Sequence, residues 1–232
     1  MLVERAVDGF LLLNTTAQIE VPVPVVALSA HGSEPGVTHI VLDHLRAAEM
    51  ALAHLYELGH RRIAFMRGPK AIPDSEFRWE GIVQAAQSLG LEIDESLVTR
   101  IDSGSWSEKT GSHPMSPEIG YLPMKALLES RSQFTAIFCF NDIAAIGAIR
   151  ALAEAGMRVP EDVSVVGFDD IQSAAFCTPS LTTIRQPLNE MGKTGARILL
   201  ERIANPENVE LTAEVIMQPE LVVRESTGPA KL

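Results

Sequence analysis

The chain has 232 residues, 46% of them apolar and 5% aromatic, with two cysteines and a formal net charge of −11. So acidic a surface repels phosphate backbones, which excludes nucleic-acid binding through a general basic face. No apolar run approaches the roughly 18–20 residues of a membrane span, and the acid-interrupted start MLVERAVDGFLLLN lacks the cleavage site of a secretory leader. The expectation is a soluble cytoplasmic protein of one domain or two small ones, with Cys139 and Cys177 as free thiols.

In chain order, Val7–Leu13 reads as an apolar strand ended by Asn14-Thr15-Thr16, and Val23–Leu28 as a second, after two prolines. His39–Leu42 is a third, followed by Asp43 and a helix, Arg46–Leu58, that Gly59 ends. His60-Arg61-Arg62 is the densest basic cluster, and its cations suit the helix C-terminus they follow. Arg62–Met66 is a strand closing at Gly68-Pro69, Glu76–Leu89 a helix ended by Gly90, and Leu97–Ile101 a further strand. Residues 102–117 are polar and rich in Gly, Ser and Pro, and read as a long exposed loop. A helix over Pro117–Glu129 and a strand over Thr135–Phe140 follow.

The most telling stretch is 141–170. Asn141 and Asp142 close the apolar run TAIFCF and open a helix, where their side chains can accept hydrogen bonds from first-turn amides. Gly156 falls at the left-handed position past the helix end, Pro160 bars its continuation, and Val163–Gly167 is a β-branched strand leading to Phe168-Asp169-Asp170. Successive strands thus each deliver an Asp to the carboxyl rim of a sheet, where open α/β folds bind ligands. A helix over Leu188–Ala204, a turn at 205–208 and a strand near Ala213–Val223 complete the alternation, and the tail 227–232 reads as disordered. This rhythm predicts parallel sheets with helices on both faces.

The segments VDGFLLL, LYELGHRRIAFMRGP, Ser75-x-x-Arg78-x-x-Gly81, AIFCFNDIAAIGAIRALAEAGMRVPEDVSVVGFDD and TPSLTTIRQPLNEMGKTGARILLERI occur in order over nearly the whole chain. Together they resemble the effector-binding core of lactose/galactose-repressor family transcription regulators, whose fold is shared with type I periplasmic sugar-binding proteins. The resemblance implies an α/β fold of two doubly wound parallel-sheet subdomains joined by three crossovers. On that pattern 1–66 with 184–209 form an incomplete N-terminal subdomain, and 67–183 with 210–226 the C-terminal one. It implies a small-molecule effector held between them, a homodimer, and operator DNA bound only through a helix-turn-helix head absent from this sequence. The family passes more directly through the region of 107–117, so the loop there is a departure. Without the family's first strand, Gly9–Leu13 is left at a sheet edge, which predicts self-association.

Carried onto this sequence, the resemblance makes Arg78 the effector clamp, its guanidinium a planar fork suited to vicinal hydroxyls or a carboxylate. Trp106 falls where an aromatic stacks on the effector, Asn141 is expected to face the cleft, and Asp142 to be either ligand contact or helix cap. Asp169 matches the acidic effector contact while Asp170 braces the turn, and Asp43, Gln186 and the weaker candidate Asn14 are further positions. Two carboxylates, an amide, an arginine and a tryptophan suit a polyol such as a sugar. The alternatives are a solute-binding protein for sugar uptake, which would need export, and a glycosidase using Asp142 and Asp169 as its carboxylate pair. No P-loop, G-x-S-x-G elbow, G-x-G-x-x-G fingerprint or metal-ligand spacing occurs, so neither enzymatic activity nor a cofactor is expected.

Overall fold

The computed structural model describes residues 7–13, 21–29, 31–32, 34–70, 72–101, 116–130, 132–205 and 214–231. The strands are β1 (Phe10–Leu13), β2 (Val25–Leu28), β3 (Val37–Leu42), β4 (Ile63–Arg67), β5 (Val98–Arg100), β6 (Ala136–Cys139), β7 (Ser164–Asp169), β8 (Thr182–Arg185), β9 (Glu214–Met217) and β10 (Glu220–Val222). The helices are α1 (His44–Glu57), α2 (Pro73–Ser88), α3 (Glu118–Glu129), α4 (Asp142–Glu154), α5 (Gln172–Phe176) and α6 (Leu188–Ala204). The chain forms two compact units, the residues up to Asp43 with Pro187–Gln218, and His44–Gln186 with Pro219 onward, so it crosses between them three times.

The first unit is a four-stranded sheet in the order β1-β2-β3-β9, every pair parallel. Helix α6 packs on it through Met191 against Val26, Leu28 and Ile40. Gly195 lets it approach, since a Cβ there would lie 3.0 Å from side-chain carbons of both Leu11 and Leu28. At the helix's far end buried Arg202 donates to the carbonyls of Val25 and Gly36 and to the Thr38 hydroxyl, tying it to the start of β2 and β3. Among the described residues β1 is an outer strand, with Leu11 and Leu13 43% and 65% exposed. The chain is therefore expected to self-associate in sedimentation velocity, and Leu13→Lys to shift it toward monomer, because a charge on an edge strand blocks strand pairing.

The second unit is a six-stranded sheet, β10-β8-β7-β6-β4-β5, parallel except for the antiparallel pair β10–β8. Strand β6 and the middle of β7 are buried on both faces, as their unbroken apolar runs require. Helices α3 and α4 touch backbone to backbone: a Cβ on Gly120 would lie 1.9 Å from the Ala144 carbonyl oxygen, and one on Gly147 1.9 Å from that of Pro117. Gly81 plays the same part between α2 and the start of α1, with the His44 carbonyl oxygen 2.7 Å from its missing Cβ.

Four expectations are corrected. The boundary expected at 66/67 falls at 43/44, because β4 pairs with β5 and β6 and brings α1 into the second unit. The later boundaries, expected at 183/184 and 209/210, fall at 186/187 and 218/219. The single strand expected over Ala213–Val223 is two strands in different sheets, split at Gln218-Pro219 where proline supplies no amide to a ladder. The tail expected to be disordered is stitched into the second unit. Ser226 is buried and bonds Ser180, Thr182 and Val165, Gly228 bonds Ser164, and the Ala230 amide donates to the Leu58 carbonyl. Strand β8 and helix α5 were not foreseen.

The basic cluster divides by residue. Arg61 donates to the Tyr56 carbonyl near the end of α1, at 2.8 Å, as helix-end complementarity predicts. Buried His60 bonds Thr135 Oγ1 at 2.8 Å through Nδ1 and the Gly228 carbonyl at 3.0 Å through Nε2, which fits the neutral Nε2–H tautomer. His54, bonded to Thr227, meets the same tail. Burial lowers the pKa of both histidines, more than the Gly228 carbonyl at His60 or Glu57 at His54 raises it. A neutral imidazole favoured by folding contributes stability above the ordinary value of about 6.5, and loses it as pH falls below that value. The melting temperature of His60→Gln is therefore expected to fall less than the parent's between about pH 7 and 5, in paired thermal melts.

Candidate ligand-binding site

The second unit gathers its polar side chains where β4, β6, β7 and β8 end. Gly68 follows β4 and must be glycine, since a Cβ would sit 2.4 Å from both the Phe140 ring and Ser75 Oγ. That space lets α2 bring Ser75 and Arg78 against the strand ends, both buried. Arg78 is 5% exposed, with its guanidinium carbon 3.5 Å from the Phe168 ring centroid and 4.6 Å from that of Phe140. It donates to the Phe140 carbonyl through Nη1, while its Nε and the Ser75 hydroxyl have no partner among the described residues. Burial lowers its pKa, and Asp169, Asp74 and Asp142 oppose that effect. An arginine so placed stays charged and presents unused donors.

Asn141 caps α4, its Oδ1 accepting from the Ala144 amide at 2.9 Å. Asp142, expected as ligand contact or cap, is neither. It has no exposed surface, and its two oxygens accept from the Thr183 hydroxyl at 2.5 Å and the Ile171 amide at 2.8 Å, bracing β8 and the turn after β7. Gly167 leaves room for it, since a Cβ there would be 2.2 Å from Asp142 Oδ1. Desolvation pushes the Asp142 carboxyl up to about 7, against the two hydrogen bonds that lower it. A folded pKa raised above the unfolded value makes the proton's stabilising contribution complete below about 4 and lost as pH rises through about 7. Asp142→Asn, neutral throughout and able to donate to Thr183, is expected to melt no lower than the parent at pH 8. Asp142→Ala strands the Thr183 hydroxyl and Ile171 amide and is expected to cost about 2–4 kcal/mol in denaturant titration.

Asp169 ends β7 with φ of 112° and Asp170 follows at 56°, two consecutive non-glycine residues at positive φ. Such conformations persist only where the surroundings enforce them. Asp169 Oδ1 accepts from Gln186 Nε2 at 2.6 Å, so these two expected site residues meet. Burial raises the Asp169 pKa, while Arg78 and the Gln186 bond pull it down. Asp170 braces the turn as expected, held by Arg185 and Arg224 at 2.6 Å each. Burial acts to raise its pKa, but the two guanidiniums hold it below the usual carboxylate range.

Arg78, Asn141, Asp169 and Gln186 thus share one rim of the second unit, with Asp142 buried beneath it. Asp43 belongs to the first unit, at the end of β3, where Gln218 Nε2 donates to its Oδ2 at 3.4 Å. Asn14 and Trp106, and most of the loop expected over 102–117, lie outside the described residues. Sequence reading singled out neither the rings of Phe140 and Phe168 that sandwich Arg78 nor Asp74, whose Oδ2 lies 3.6 Å from His44 Nε2. The signal for the rings was their place next to the strand-end Asn141 and Asp169, in runs read only as apolar.

Residues 52–227 match the Periplasmic binding protein-like domain family. A solved LacI family transcriptional regulator from Enterococcus faecium, with bound ribose, superposes with a TM-score of 0.82 at 31% identity, over 99% of this chain and 83% of that one. The chain belongs to the LacI family. This LacI-family chain also superposes on the transcriptional regulator CelR–cellobiose complex, with a TM-score of 0.81 at 32% identity, over 97% of this chain and 67% of that one. The HTH-type transcriptional repressor CytR of Escherichia coli (strain K12) is 32% identical over 234 residues, covering 98% of the chain and 64% of the repressor. The HTH-type transcriptional repressor PurR of Haemophilus influenzae (strain PittEE) is 35% identical over 237 residues, covering 97% and 66%. The LacI-family chain therefore spans about two thirds of the length of these repressors. No helix among its described residues is long and apolar enough to cross a membrane.

Proposed function

We propose that this chain is the ligand-sensing core of a LacI-type transcription regulator, taking a small polyhydroxylated molecule at the strand-end rim of the second unit. One observation carries the reading: buried Arg78, sandwiched by Phe140 and Phe168 and holding an unpartnered Nε, stands on the same rim as Asp169. Donors on one side and a carboxylate acceptor on the other suit vicinal hydroxyls, while the two aromatic rings fix the guanidinium that donates. The ribose and cellobiose held by two related regulators supply the probes. Asp142 spends both oxygens inside the fold, which favours binding without turnover over a paired-carboxylate hydrolase.

The output is control of operator DNA by a helix-turn-helix head, in a homodimer, as the HTH-type repressors it resembles suggest. Such control requires the ligand to bind two states of the regulator unequally, since equal affinity shifts no population. The test is a thermal-shift and calorimetric titration with D-ribose and with cellobiose. A rise in melting temperature that Asp169→Asn abolishes supports the reading, and no response to either sugar counts against a polyol ligand. Asp43, Asn14 and Trp106 enter the same titration as single alanine variants.

A further inference from the structure

The Asp169 backbone sits where an aspartate does not rest unaided, and its neighbours form a closed clasp. Asp170 Oδ2 accepts from Arg185 Nε and Oδ1 from Arg224 Nη2, each at 2.6 Å. Both arginines are themselves anchored. Arg185 Nη1 reaches Glu220 Oε2 at 2.7 Å across the β8–β10 ladder, in which Glu220 and Arg185 are paired residues. Arg224 Nη1 donates to the Leu181 carbonyl at 2.8 Å, and its amide to Thr182 Oγ1 at 2.9 Å. In the β7–β8 ladder Arg185 is the register partner of Asp169, and the next residue, Gln186, holds the Asp169 carboxylate. Neighbouring residues of one strand end thus grip neighbouring aspartates of the other.

We infer that Arg185 and Arg224 are positioning residues for ligand binding: by gripping Asp170 from two sides, they hold Asp169 at positive φ with its carboxylate on the rim beside Arg78. Glu220 serves the clasp at one remove by orienting Arg185. The inference deepens the proposed ligand site and rests on it for its consequence in binding, though not for its geometry. It also accounts for two arginines on one carboxylate. The single pair Asp170–Arg185 would fix Asp170 to β8 alone, whereas Arg224 adds a second direction of pull from the segment after β10. Because Gln186 and Glu220 each stand within two residues of a crossover to the other unit, the clasp joins the ligand carboxylate to two of the three connecting strands.

The test is a crystal structure and a sugar titration for Arg185→Gln, Arg224→Gln and Glu220→Gln, with exposed Arg150→Gln on α4 as the control. Arg185 and Glu220 are substantially exposed, so their variants fold even where the more enclosed Arg224 variant does not. The expected result is that Asp169 leaves positive φ and loses its Gln186 bond in Arg185→Gln. Affinity for whichever of ribose and cellobiose binds the parent is expected to fall by about tenfold or more. In the double variant with Asp169→Asn the loss is expected to match that of Asp169→Asn alone, since a positioning residue has nothing left to position. An unchanged Asp169 in Arg185→Gln, or losses that add in the double variant, would overturn the inference. If the parent binds neither sugar, the polyol reading fails, and the crystal structures still decide the clasp.

Discussion

Alanine at Gly147 is expected to abolish cooperative folding, or to lower the melting temperature sharply. A helical Gly→Ala change on an open face stabilises by roughly 0.5–1 kcal/mol, because alanine loses less backbone freedom. At Gly147 the added carbon would lie 1.9 Å from the Pro117 carbonyl oxygen and 2.7 Å from the Tyr121 nitrogen. Both are backbone atoms at the start of α3, so no side-chain rotation relieves the overlap. Helices α3 and α4 must move apart, which loosens the buried contacts of Ile119, Met124, Ala144 and Ala148. Overpacking a rigid core costs about 1–3 kcal/mol, and separating two helices adds the dispersion lost along the seam. Against a total stability of about 5–15 kcal/mol, a loss of roughly 3 kcal/mol or more is disabling. The control is built in: Gly192 on α6 has nothing within 4 Å of a built Cβ. Gly192→Ala is expected to be neutral or stabilising, and denaturant titration of the two variants tests the argument. A Gly147→Ala chain as stable as the parent would refute the backbone contact.

Arg78→Met is expected to remove ligand binding. Methionine fills much of the space between Phe140 and Phe168 but offers no donor to the Phe140 carbonyl or to a ligand. A hydrogen bond to a charged group contributes about 1.5–3 kcal/mol, or roughly tenfold to a hundredfold or more in affinity. The variant also removes the charge that holds down the pKa of Asp169, which rises further and shifts that carboxyl toward its neutral, weaker-accepting form. Arg78→Lys is expected to do little better, because a point charge supplies neither the planar fork nor the stacking face. Calorimetry with ribose and cellobiose reads the binding, and thermal melts separate it from loss of fold. An Arg78→Met chain binding either sugar at the parent's affinity would remove Arg78 from the site.

The sheet class and most elements were legible because the buried strands are unbroken apolar runs and α1, α2 and α4 end at glycines. Gly59, Gly90 and Gly156 all take positive φ where the helix-end pattern puts such a residue. Strand β8 escaped because TTIR is short, half polar and follows a proline-containing turn. The split between β9 and β10 escaped because one apolar run serves two sheets, and only Pro219 marks the break. At the site, Arg78, Asp169 and Asp170 were readable from motif and strand-end position. The role of Asp142 was not, because whether a strand-end carboxylate turns inward depends on Thr183 and Gly167, distant in sequence from it and from each other. The ordered tail was hidden for the same reason: STGPAK is a polar, breaker-rich string whose order comes entirely from partners such as His60, Ser164 and Ser180.

That threaded tail bears on when the protein can fold during synthesis. Residues 224–230 supply bonds to the end of α1, to β7 and to the turn before β8, segments made early, midway and late. The first unit likewise takes its fourth strand, β9, from Glu214–Met217. Domains made of one continuous stretch can close behind the ribosome as they emerge. Here neither unit owns a continuous stretch that completes its sheet, so both wait for the same late segment. Nascent chains arrested before residue 214 should therefore remain open to protease in both halves at once, and release of the last stretch should protect them together.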